Sequence, residues 1–294
     1  MKIVEFIDKR SLLFFLFFLL SVLLTFSPIK ALYHSSHSEY YSHIILIPLI
    51  SAYLIYLNRK LIFSDQQYSF IAAMPLLLIA VILNLWGRNI EDQLNLNNFA
   101  SMMALSSVIF INGSFLLFYG MKSFKAALFP LLFLIFVIPI PSTVMDGIIY
   151  FLQVGSTECA NVLFVMTGVP FLRDGFLFHL PGMSIEVAKQ CSGIRSSLAL
   201  LITAMLAGHL FLNSWWKKFF LVLLIVPVTM FKNGIRIVSL TIMGTYWDSR
   251  ILTNSSLHSD GGIIFFVLAL GILAPVLFLL RKSEQRKSSV EASP

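Results

Sequence analysis

The sequence predicts an all-α protein, a polytopic integral membrane helical bundle of about eight transmembrane helices, with a short outer-face β-hairpin before the sixth. Three observations carry that prediction. Charged residues make up 12% of the chain and hydrophobic ones 58%; a soluble domain carries about twice that charge, so water is not the main solvent here. Apolar runs of roughly 20 residues, the length that crosses hydrocarbon, recur along the chain. Basic residues sit in short clusters in alternate gaps between those runs, as they do in cytoplasmic loops. The net charge of +7 is therefore a topology signal, and no nucleic-acid partner is expected.

The runs fall at 11–29, 41–57, 70–86, 100–119, 124–141, 191–212, 217–235 and 262–280. The first follows Lys2, Lys9 and Arg10 as a signal peptide does. Its apolar stretch exceeds a usual h-region and no A-x-A site follows, so it reads as an anchor. A further stretch, 145–168, contains Asp146, Glu158 and Asn161. Composition makes it too polar for a span, and it reads as an interfacial or bundle-buried helix. With the N-terminus inside, the cytoplasmic segments after the first carry Arg59 with Lys60, Lys122 with Lys125, Lys217 with Lys218, and Arg281, Lys282, Arg286 and Lys287. The outer loops hold isolated cations such as Lys30 and Arg88, the latter near Glu91 and Asp92. Both termini are thus expected in the cytoplasm, in a multi-pass protein of the cell (inner) membrane. Residues 1–282 form one transmembrane domain, and the polar tail 283–294 is expected to be disordered. In the long outer segment, Pro181-Gly182 separates Phe176–Leu180 from Ser184–Val187. Proline then glycine fits the two corners of a type II turn, so a hairpin leading into Cys191 is expected.

Three polar clusters interrupt the C-terminal half: Glu186 through Cys191 to Arg195, Lys232-Asn233-Gly234-Ile235-Arg236, and His258-Ser259-Asp260-Gly261-Gly262. By span counting, Cys191 opens the sixth span, Arg236 ends the seventh and His258 precedes the eighth, which puts all three on the outer side. A thiol reacts as thiolate, and a helix N-terminus with cations nearby favours that form. Cys191 is expected in the first turn of its helix, and Arg195, four residues on, lies on the same helical face. His258 has the ordinary pKa range of a proton shuttle, and Arg236 is able to stabilise an oxyanion or pair with thiolate or carboxylate. Taken singly, each has a plain reading. Cys191 is a small apolar residue, Arg236 snorkels to headgroups, His258 is a loop histidine and the glycines serve packing.

Order and spacing of these clusters resemble the exosortase/archaeosortase family of membrane-embedded cysteine transpeptidase-like enzymes. Cys191-Ser192-Gly193-Ile194-Arg195 is similar to its cysteine motif, Asn233-Gly234-Ile235-Arg236 to its arginine motif, and His258 with Gly261 to its histidine motif. Tyr41-Ser42-His43 leading into Leu46-Ile47-Pro48, and Ile138-Pro139-Ile140-Pro141, match upstream. The resemblance implies Cys191, Arg236 and His258 as catalytic residues, with Arg195, Asn233 and Glu186 in support. It implies cleavage of exported proteins at C-terminal signals made of a motif, a membrane helix and a basic tail. The acyl group passes to an acceptor or to water, and the remaining partners are membrane lipids. No cofactor is expected.

Two other classes compete. A transporter or polysaccharide-assembly protein is also polytopic and basic, but places charges near span centres. A metal enzyme could draw on His34, His37, His43 and His258, yet no H-E-x-x-H occurs and no metal is expected. The Walker A and G-x-S-x-G patterns are absent too.

Overall fold

The computed structural model describes residues 9–34, 41, 43–246 and 261–291. Seven helices among them are long and apolar enough to cross a membrane. The chain divides into two compact units, Met1–Val144 and Met145–Pro294.

The first unit contains α1 (Lys9–Tyr33), α2 (Leu46–Leu57), α3 (Arg59–Ile62), α4 (Phe70–Asn89), α5 (Leu96–Ala126) and α6 (Leu128–Phe133). The long helices α1 and α4 pack on α5, and their other faces expose Leu23, Phe26 and Ile71, apolar side chains suited to lipid. Two expected spans prove short. The 41–57 run yields only the 12-residue α2, about 18 Å against a core of about 30 Å, because the chain turns at 43–45 before entering it. The 124–141 run yields the six residues of α6 and a 3-10 turn, Leu134–Val137, and then ends before Pro139 and Pro141.

Basic residues collect at one end of this unit. Arg10 donates to the Gln66 carbonyl at 2.8 Å and lies over the Tyr68 ring, while Lys122 pairs with Asp65 at 2.5 Å. Gly120 makes this loop fit. Its φ of +82 interrupts α5, Tyr119 and Leu117 carbonyls accept from Gln67 and Ser69, and a Cβ on it would overlap the Gln67 carbonyl.

The second unit contains α7 (Ser142–Thr167), which begins just before the boundary, then β1 (Leu172–Asp174), β2 (Leu177–Leu180), β3 (Met183–Glu186), α8 (Ile194–Phe211), α9 (Trp215–Leu223), α10 (Ile225–Tyr246) and α11 (Gly261–Glu291). Leu200, Ala204, Leu221, Ile225, Ala269 and Leu273 form the core of the last four helices. The α8–α9 corner is held by Glu284 of α11, which accepts from the Asn213 and Ser214 N–H groups at 2.9 Å each. Helix α11 consequently runs on to Glu291, past the Ser283 boundary at which the sequence reading placed a disordered tail.

Helix α7 corrects a second expectation. It is 26 residues long and counts among the seven candidate spans. Its polar residues look unaffordable in isolation, but Gln153 and Glu158 find tertiary partners and Thr157 bonds within the helix. Gln153 donates to the Val187 carbonyl at 2.5 Å, Thr157 to the Gln153 carbonyl at 2.7 Å, and Glu158 holds Arg173 through two bonds of 2.6 and 3.0 Å. The last contact pins β1 to α7. The sheet itself has order β1-β2-β3, all antiparallel. The expected hairpin around Pro181-Gly182 is present, with Gly182 at φ +91. The third strand, joined through Gly175 at φ +58, was not anticipated.

Candidate active site

Helices α8 and α9 leave their shared corner in opposite chain directions, so residues equally far from it meet again. Ile194 and Asn233 are each about 27 Å along their helices from that corner, at 1.5 Å per residue. The chain meets there as this arithmetic requires. A Cβ built on Gly193 would lie 3.1 Å from Asn233 Oδ1 and 3.6 Å from Lys232 Nζ. Gly193 therefore lets the turn before α8 lie directly on α10.

That turn alters one expectation. Cys191 belongs to a 3-10 turn, Lys189–Ser192, and not to the first turn of α8. Gly193 at φ +73 separates the two, in a left-handed conformation that glycine takes without strain. The sequence Cys191 to Arg195 is thus not continuous helix, and the four-residue spacing does not put Arg195 on a shared face. Arg195 is exposed. The positive end of α8, with its unbonded N–H groups, still faces the turn. The Cys191 side chain and all of His258 lie outside the described residues.

Around the turn the polar groups are ordered. Ser196 and Ser197 hydroxyls donate to the Gly193 carbonyl at 3.0 and 2.7 Å. Lys232, 2% exposed, donates its ammonium to the Ser196 hydroxyl, and among the described residues no carboxylate pairs with it. Asn233 is fully buried. Ser192 is also fully buried, and its hydroxyl has no hydrogen-bond partner among the described residues. Lys232 is the residue the sequence reading passed over. It belongs to the second polar cluster, and a lysine inside an apolar run is itself a signal of function.

Arg236 is half-buried and lies one turn beyond Lys232. It does not end its span, because α10 continues ten residues further to Tyr246. Measured from Lys217 along α9 and α10, it lies about 28 Å away, close to the hydrocarbon thickness. Lys217 at the other end bonds to the Leu280 carbonyl and the Ser283 hydroxyl. Arg236 and Glu186 both line a cavity of about 280 Å³ between β3 and α10, with Asn233 at one end. Structure therefore brings Asn233, Arg236 and Glu186 to one place beside the Cys191 turn and leaves Arg195 outside it.

The placement of α10 depends on a close crossing with α7. A Cβ on Gly234 would stand 2.7 Å from the Cys159 Cβ and 3.1 Å from the Ala160 nitrogen, and Gly155 packs against Met230. Such small-residue contacts let membrane helices approach closely. Cys159 thus serves packing.

In the first unit, the two upstream motifs are joined through one side chain. Tyr41 donates to Asn97 Oδ1 at 2.5 Å, and the Asn97 amide donates to the Ile140 carbonyl at 2.8 Å. Burial lowers the His43 pKa, opposed by its bond to the Phe136 backbone. No group of three or more metal-ligating side chains occurs among the described residues.

A sequence model of the family described as Transmembrane exosortase (Exosortase_EpsH) matches residues 33–275. Comparison with curated proteins and with solved structures gives no match.

Proposed function

Since this chain belongs to the transmembrane exosortase family, we propose that it is a membrane-embedded cysteine transpeptidase or protease that cuts the C-terminal sorting signals of exported proteins. The observation that carries this reading is the meeting of the Asn233–Arg236 segment with the glycine turn that bears Cys191. In the proposed reaction the Cys191 thiolate attacks the scissile carbonyl, forming a C–S bond and a tetrahedral oxyanion. Arg236, with Lys232 behind it, supplies the positive field in which that charge develops. The C–N bond then breaks as the imidazolium of His258 protonates the departing amine. The acyl-thioester passes to an amine acceptor or to water, which restores the thiol. The basic residues gathered at Lys217 support an orientation with Cys191 on the non-cytoplasmic side.

The test uses an exported protein from the same cell that ends in a motif, a membrane helix and a basic tail. Cys191→Ala, Arg236→Ala and His258→Ala should each leave it uncut, whereas Cys159→Ala should process it normally. Full processing by Cys191→Ala overturns the mechanism.

A further inference from the structure

We propose that the free edge of β3 captures the substrate as an added antiparallel or parallel strand, laying its polypeptide extended between β3 and α10 on the way to Cys191. This rests on the peptidase reading above and adds how the peptide is held.

The cavity lining carries the argument. Five consecutive residues, Met183 to Val187, line one wall. A sheet face would contribute alternate residues only, so the wall is the strand's edge, main chain included. The other wall is one face of α10: Asn233, Arg236 with Ile237, and Leu240 with Thr241. Among the described residues, pairing leaves that edge open. The Pro181-Gly182 turn closes on Leu180–Met183, and Phe178 faces Ile185. Antiparallel alternation then directs the N–H and C=O groups of Met183 and Ile185 to β2, and those of Ser184 and Glu186 the other way. The Glu186 carbonyl already accepts from Ala188 N at 3.0 Å, so both main-chain groups of Ser184 and the Glu186 N–H face the cavity.

Size and charge select the occupant. The strand wall is about 16 Å long at roughly 3.3 Å per residue. That is the span of about five residues of extended chain. The Arg236 guanidinium in that wall meets a chain whose outward carbonyls are electron-rich. At the Val187–Asn233 end the groove runs directly into the turn that holds Cys191. Recognition through main chain also tolerates varied side chains, as strand addition does elsewhere.

The experiment is disulfide scanning in membranes with the full chain carrying Cys159→Ala, Cys191→Ala and Ser184→Cys. Single cysteines are placed at successive positions of the exported substrate preceding its membrane helix. Crosslinking that alternates with a period of two is expected. A period near 3.6, or no crosslinks along the segment, overturns the proposal. In parallel, Ser184→Pro in the otherwise native chain removes an edge N–H and should slow processing about ten-fold, the worth of one to two hydrogen bonds. A Ser184→Pro chain with native melting and native processing also overturns it, and if that variant fails to fold the crosslinking pattern decides. Processing by Cys191→Ala would instead sink the peptidase reading, which keeps the two failures apart.

Discussion

Replacing Lys232 by methionine should make the protein more stable and nearly inactive. Lys232 is 2% exposed, and its described bond goes to the Ser196 hydroxyl. Removing an ammonium from water costs several kcal/mol even after relaxation. A hydrogen bond to a charged group returns about 1.5–3 kcal/mol. Methionine has similar length, no charge and an adaptable thioether, so it fills the space with little strain. Ser196 is not orphaned by the change, because its hydroxyl still donates to the Gly193 carbonyl at 3.0 Å. The balance predicts a gain of about 1–3 kcal/mol. Processing should fall by about 100- to 1000-fold, the usual loss when a preorganised transition-state cation or donor is removed. The two readouts are thermal unfolding in detergent and processing rate in membranes at matched protein levels. A Lys232→Met chain that melts lower than wild type and still processes would refute the reasoning, since Lys232 would then be a structural tether.

Three further outcomes follow from the geometry. Gly234→Val should lower the melting temperature and abolish processing, at a cost of about 1–3 kcal/mol or more, because its Cβ meets Cys159 and the Ala160 backbone; Cys159→Gly should recover part of the loss if the clash is the cause. For His43, the folded pKa lies below the ordinary 6.5, so the unfolded chain binds the proton first and stability falls as pH drops from about 7 through 6.5 towards the folded value; His43→Gln should flatten that slope in melts at pH 7.5 and 5.5. Arg195→Ala should retain measurable processing, since Arg195 is exposed, while Arg236→Lys should be severely impaired for lack of the planar fork; an inactive Arg195→Ala beside an active Arg236→Lys reverses these roles.

Much of this architecture was legible in the residues themselves. The runs that became α1, α4, α5, α8, α10 and α11 carry their apolar length openly, and Pro181-Gly182 announced its turn. What escaped depended on partners distant in sequence. Glu158 helped make α7 look too wet for a span, because Arg173, which satisfies it, belongs to β1. Hydropathy around 41–57 and 124–141 measured greasiness and not helix length, so it missed the turn at 43–45 and the 3-10 ending at Val137. The Cys191–Arg195 spacing misled for a local reason: a glycine at positive φ breaks the register that the spacing assumes. Convergence of the Asn233–Arg236 segment on the cysteine turn was legible, since it needed only topology. The burial of Lys232 was not, since it depends on how α8 packs on α10.

The 28 Å between Lys217 and Arg236 makes α9 and α10 a measuring rod. One end carries Lys217, and on the peptidase reading proposed above the other sets the altitude at which a peptide bond is broken. Under the proposed reading, the enzyme selects its cut by height above the bilayer as well as by sequence. Three residues inserted between a substrate's basic tail and its scissile bond raise that bond by about 4.5 Å if helical. They should move cleavage or slow it, although the recognised sequence is untouched, and unchanged cleavage at the same bond would show that height is not read.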